Sequence, residues 1–118
     1  MNNSHDPRRA AIAELVRRVP ELGSVLANNI VDNFGDLIPT LFLADLLPWM
    51  VDRFAYDEHS VKTVLDWIEE QLAFGDTEVR GMIIVSGIDD LTAPGGRGEA
   101  LLPHLGPLTA SIDPWSTT

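Results

Sequence analysis

The sequence predicts an all-α protein: a single-domain antiparallel helical bundle, or a short helical solenoid, of five to six helices. Three observations predict it. Apolar residues recur at helical spacing in most segments, prolines and capping residues stand where helices would begin, and no two segments read as strands that could pair. The chain has 118 residues, the size of one domain, and at that length folding buries roughly two-thirds of the surface the unfolded chain exposes. Apolar residues make up 45% and charged residues 22%, which separates the chain from disordered sequences.

The first helix is expected after Asp6, with Pro7 at its first position, where a missing N–H costs nothing. Ile12, Leu15, Val16 and Val19 form its apolar stripe. Pro20 ends it and opens a second helix through Leu22, Val25, Leu26, Ile30 and Val31, which stops near Asn33-Phe34-Gly35. Pro39 begins a third helix running towards Tyr56; Pro48 inside it either kinks it or splits it in two. The fourth helix, capped by Asp57, places Val61, Val64, Leu65, Ile68 and Leu72 on one face and ends at Gly75.

Asp76 caps a fifth helix from Thr77 to about Leu91. Its Met82-Ile83-Ile84-Val85 run would suit a buried strand, but with no strand to pair with it reads as helix. Apolar on all sides, it is expected to be the most enclosed helix of the fold. A loop at Ala93-Pro94-Gly95-Gly96-Arg97-Gly98 precedes a short helix from Glu99 to His104, and residues 1–6 and 113–118 are expected to fray.

The net charge of −10 is uneven: +2 over residues 1–20 and −12 over residues 21–118. An acidic body of this kind repels phosphate backbones, so no nucleic acid is expected as a partner, whereas a basic protein is attracted to it. The absence of cysteine removes thiolate catalysis and thiolate zinc sites, and with a polar start it points to the cytoplasm. No membrane partner is expected either, because the longest apolar run, Leu41 to Val51, is interrupted by Asp45 and Pro48.

Candidate catalytic groups do not converge. Asp57, Glu58 and His59 are adjacent at a helix start and read as a cap rather than metal ligands; His5 and His104 are linked to no nucleophile. Glu69 and Glu70 lack the Glu-x-x-His partner of a carboxylate-bridged metal site. Asp89-Asp90 form an acidic end to the fifth helix, unfavourable for its dipole. No metal, no cofactor and no enzymatic activity are expected.

Two aromatic features remain. On the third helix Asp45, Trp49, Asp52 and Tyr56, spaced four, three and four apart, make a stripe of acid and aromatic suited to an arginine-rich or lysine-rich patch; the other reading puts Trp49 in the core. On the fourth, Trp67 and Phe74 lie seven apart, away from the main apolar stripe. Either that helix packs on two sides, or a Trp-Phe patch is exposed beside Asp66 and Glu70. The residues offered to a partner are therefore Asp45, Trp49, Asp52 and Tyr56, and in second place Trp67, Glu70 and Phe74.

Several stretches together resemble a family of small bacterial all-helical proteins: Leu37 to Leu46 with Pro39, Phe42 and Asp45; Val64 to Glu69 followed by Gly75-Asp76; Met82 to Ser86; and Leu105-Gly106-Pro107. The family pattern is a Leu-Pro-x-x-Phe-x-x-Asp-Leu stretch, a Leu-Glu helix, a Gly-Asp turn and a closing Leu-Gly-Pro. This chain departs from it at Pro48 and Gly87. The resemblance implies a role of the toxin-immunity kind; joined to the charge and the α-helical stripe, the leading expectation is an inhibitor that binds a cognate toxin or other basic protein through an acidic, aromatic-bearing helical face. The alternative is a helical adaptor or regulatory module that binds a peptide helix or small ligand.

Overall fold

Asp6 opens the first helix in the computed structural model, which describes residues 6–32, 35, 37–88 and 97–112. Its carboxylate accepts the Arg8 N–H at 3.0 Å, and Pro7 occupies the first position of α1 (Pro7–Arg18). Arg17 and Arg18 lie in the last turn, where cations suit the helix dipole. A 3₁₀ turn at Pro20–Leu22 then leads into α2 (Gly23–Asp32). The chain reverses at Gly35, whose φ of 86° lies in the left-handed region that glycine enters without a Cβ penalty; its N–H donates to the Ile30 carbonyl at 2.8 Å.

Entry into α3 (Pro39–Phe54) is held from α2. Ile38 stands at the N-cap and has no side-chain oxygen, but the buried Asn29 amide clasps its backbone: Oδ1 accepts the Ile38 N–H at 2.9 Å and Nδ2 donates to the Ile38 carbonyl at 3.3 Å. Of the two outcomes expected at Pro48, splitting is ruled out, since α3 runs through it as one helix. Proline lacks the N–H that would bond the Ala44 carbonyl, and Ala44 stands on the exposed side of the helix, where a missing partner costs less than in the core.

Asp57 caps α4 (Glu58–Phe74), accepting the Ser60 N–H, and Gly75 closes it with a 2.8 Å bond to the Gln71 carbonyl. Asp76 caps α5 (Thr77–Ile83) through the Glu78 N–H at 2.8 Å. After Ile83 the helix widens into a π-type turn, Ile84–Ile88. The final elements are a 3₁₀ helix, Arg97–His104, which is the expected short helix begun two residues earlier, and α6 (Pro107–Ser111), which sequence reasoning missed. Among the described residues there is no strand, and the fold is an all-α bundle.

One core draws on α1 (Ile12, Leu15), the first 3₁₀ turn (Leu22), α3 (Phe42, Met50), α4, α5 (Val79, Ile83) and the second 3₁₀ segment (Leu101). Helix α4 is its axis. It packs against α1, α3, α5 and α6, and Val61, Val64, Leu65, Trp67, Ile68 and Leu72 are all buried. The expectation that the fifth helix would be the most enclosed is therefore corrected: Met82 and Ile83 are buried, but Ile84 is 37% and Val85 75% exposed. All-round apolarity needs neighbours all round; with Val79, Met82 and Ile83 on the core side, Ile84 and Val85, one and two residues on at about 100° each, fall on the open side of the helix. The expected stretch beyond Ile88 lies outside the described residues, as do the loop before Arg97 and the two ends. Val31, assigned to the stripe of the second helix, is likewise exposed.

Helix α6 is capped from a distance. Gly106 at its N-cap has no side chain, and Glu69 of α4 supplies the missing carboxylate: Oε2 accepts the Leu108 N–H at 2.8 Å, and Oε1 accepts both the N–H and the hydroxyl of Thr109 at 3.0 Å. A Cβ at position 106 would collide with that carboxylate, which explains glycine before Pro107. Burial of Glu69 opposes its charge, but the hydrogen bonds from Thr109 and Leu108 outweigh it and hold its carboxyl below the ordinary value.

Two outcomes follow for stability. Ile68→Ala should cost about 2–5 kcal/mol, whereas Glu70→Ala, which removes only an exposed ion pair to Arg18, should cost at most about 1 kcal/mol; equal shifts in urea melts would mean that the faces of α4 are misassigned. Glu69→Gln should cost about 0.5–2 kcal/mol at pH 7, in the range of a lost helix cap. Because the folded-state pKa of Glu69 is depressed, its contribution is present above the ordinary carboxylate range and lost as pH falls through the lowered value. Melts at pH 7 and pH 3 should therefore show the gap between Glu69→Gln and the parent closing in acid.

Candidate functional site

Burial of one side of α3 decides what its other side presents. Phe42, Leu43, Leu46, Leu47 and Met50 face the core, so the residues opposite form an outer ridge: Leu41, Asp45, Trp49 and Asp52, continued by Tyr56 in the turn after the helix. Asp45 and Asp52 are exposed, and Tyr56 is 74% exposed. Trp49 combines the two readings offered for it, being half-buried against the edge of the core with the rest of its ring at the surface. The predicted stripe is thus assembled on one face.

The structure adds a member that sequence reasoning missed. The Arg53 guanidinium carbon lies 5.1 Å from the Trp49 ring centroid and 5.5 Å from that of Tyr56, so the cation bridges the two aromatics. Its Nε donates to Asp57 Oδ2 at 2.8 Å. The Arg53 hydrogen bond, seconded by those from Ser60, holds the Asp57 carboxyl below its ordinary range, and Glu21 on the first 3₁₀ turn adds to the field at Arg53. Part of the signal was in the sequence: Trp49 and Arg53 are four apart and so neighbours on one side of α3, while Asp57 reaches Arg53 from the N-cap of α4.

Electrostatics set this ridge apart. Arg8 and Arg9 pair with Asp6, Arg18 with Glu14 and Glu70, Arg53 with Asp57, and Lys62 with Glu58. Most of the described cations are thereby neutralised within the chain, while Asp45 and Asp52 form no ion pair among the described residues. The exposed ridge keeps its negative charge.

The second group of predicted residues does not form a site. Trp67 is completely enclosed and cannot touch a partner, Phe74 is 90% exposed, and Glu70 is held by the Arg18 guanidinium through two 2.9 Å bonds. Trp67 stands mid-helix between neighbours, whereas Phe74 is the last residue of α4 and overhangs them, so their shared direction does not become a shared patch. Packing on two sides is the reading realised at Trp67. Its indole N–H meets no acceptor among the described residues, so its place is owed to ring packing.

Elsewhere Asp57 serves as the cap and His59 is exposed beside it, while His104 rests against the Phe54 ring with centroids 4.9 Å apart. Among the described residues no group of three or more His, Asp or Glu gathers at a spacing that would hold a metal ion, and no helix is long and apolar enough to cross a membrane. Asp89 and Asp90 lie outside the described residues. No family model matches this chain, and no curated protein or solved structure matches it either.

The two aromatic features should separate in stability. Trp67→Ala should cost about 3–5 kcal/mol, the range for emptying a buried aromatic site, while Tyr56→Ala should stay within about 0.5–1 kcal/mol of the parent in urea melts. A large loss at Tyr56 would mean that its ring belongs to the core and not to the surface.

Proposed function

We propose that this protein works by binding another protein, as an immunity-type inhibitor that neutralises a cognate bacterial toxin bearing a basic surface. One observation carries the reading: the outer ridge of α3 presents Asp45 and Asp52, which form no ion pair among the described residues, around Trp49 and Tyr56, while most of the described cations are bound to the chain's own carboxylates. Acid steers a basic partner towards the ridge, and exposed aromatic surface gives the docked complex its anchor. The small size, the cytoplasmic character of the sequence and its resemblance to small bacterial all-helical proteins support the same role.

The test is a kinetic binding assay against the protein that co-purifies with this chain from its native cell. Association should be fast and should slow as salt rises, since exposed charges are screened over about 10 Å at 0.1 M ionic strength. Asp52→Lys should slow association several-fold, and Trp49→Ala should speed dissociation. Asp45→Lys should act as Asp52→Lys does. Unchanged rates for these folded variants would remove the α3 ridge as the binding face. The immunity role has its own readout: the co-purifying protein should arrest growth when produced alone and not when produced with this chain, and growth unaffected in both cases would leave binding without toxin neutralisation.

A further inference from the structure

We infer that the cleft between Trp49 and Tyr56 is a binding site for an arginine side chain of the partner, and that Arg53 is a resident stand-in which the incoming arginine displaces. The inference rests on α3 as the binding face and specifies the chemistry that face takes. Two aromatic rings with a guanidinium between them and a carboxylate at its edge are the parts of a site that recognises arginine: the planar cation stacks on the rings, and its fork pairs with the carboxylate. Lysine, a compact and strongly hydrated charge without a plane, fits such a cleft less well.

Among the described residues, the side chains in contact with the Arg53 guanidinium lie within four positions of it in the chain. Trp49 lies four residues before it and Tyr56 three after, and the 2.8 Å bond to Asp57, four after and at the N-cap of α4, ties its guanidinium to the start of the next helix. Tyr56 is open to solvent, so the guanidinium can leave without disturbing the core. Its departure also leaves a markedly anionic site, because Asp52 on the ridge, Asp57 at the cleft and Glu21 nearby would then face no cation there. Contacts of this half-buried, local kind, with the Arg53 and Asp57 side chains 23% and 24% exposed, together shift an equilibrium by on the order of tenfold, so the cleft is open in a minor fraction of molecules. A loose cation pays that fraction in full. A partner that delivers its arginine together with basic groups aimed at Asp45 and Asp52 does not depend on the cleft alone, and the resident arginine thereby favours such a partner over stray cationic peptides.

A fluorescein-labelled hexa-arginine peptide tests this by fluorescence anisotropy at low salt, with the fold of each variant checked by circular dichroism. Arg53→Gln should bind the peptide about tenfold more tightly than the parent. Arg80→Gln, which makes the same charge change on α5, should gain no more than about twofold, the share that long-range attraction alone supplies. Adding Tyr56→Leu to Arg53→Gln should abolish the excess. An Arg53→Gln gain no larger than that of Arg80→Gln, a gain that survives Tyr56→Leu, or no binding by Arg53→Gln would each overturn the inference. Asp45→Lys and Asp52→Lys separate the two levels. If they weaken peptide binding while Arg53→Gln shows no excess, the α3 face stands and the arginine cleft falls; if they too have no effect, both fall.

Discussion

Enclosure of α4 is the constraint on which the rest of the structure depends. A helix whose mid-section carries Val64, Leu65, Trp67 and Ile68 needs neighbours on most of its circumference, and α1, α3, α5 and α6 supply them. Its polar residues then fix how those neighbours sit. Glu69 and Glu70, adjacent in sequence and about 100° apart around the helix, reach in different directions: Glu69 caps α6, and Glu70 grips Arg18 at the end of α1. The exposed Glu70 pair adds little stability by itself, whereas Glu69 satisfies backbone donors that would otherwise have no partner. Two like residues side by side thus differ in worth because of what they touch.

The functional reading follows from the same packing. With Phe42, Leu46 and Met50 committed to the core, α3 must turn Asp45, Asp52 and Tyr56 outward, and the Asn29 clasp on Ile38 holds the start of that helix in register with α2. Charge is then sorted by pairing: Arg8, Arg9 and Arg18 of α1 are taken up by Asp6, Glu14 and Glu70, and Arg53 by Asp57, while Asp45 and Asp52 on the ridge of α3 form no ion pair among the described residues. A surface that is acidic, aromatic and rigidly backed is suited to meeting a basic protein, and the same sorting makes it a poor surface for a phosphate backbone.

What could be read from sequence was mostly local. Asp6-Pro7, Asp57 and Asp76 announced helix starts because a cap is a bond between a side chain and a backbone N–H two or three residues away, and the apolar stripe of α4 needed only helical periodicity. What escaped was set by distant partners. The cap of α6 comes from Glu69, some 39 residues earlier in the chain, so Gly106-Pro107 by itself looked like a terminus and not a beginning. Trp67 and Phe74 share a direction on an ideal helix, and only the positions of the neighbouring helices decide that one is sealed and the other bare. Apolarity alone suggests burial of Ile84 and Val85, but among the described residues no neighbouring helix covers the side of the fifth helix opposite Val79, Met82 and Ile83, and they stand exposed there. Of the candidate site, the α3 stripe was legible because its spacing is helical. The place of Arg53 within it was equally regular, yet attention to acidic and aromatic residues passed over the cation between them.

Magnetic resonance mapping of the isotope-labelled protein, free and in complex with the protein that co-purifies with it, distinguishes the α3 ridge from the remaining surface most directly. Binding through α3 predicts that the largest shifts fall on the backbone amides from Leu41 to Tyr56 and on the Trp49 indole N–H, with the enclosed Trp67 indole little changed. Shifts centred instead on Glu70, Phe74 and the turn at Gly75, with the α3 amides unmoved, would contradict it.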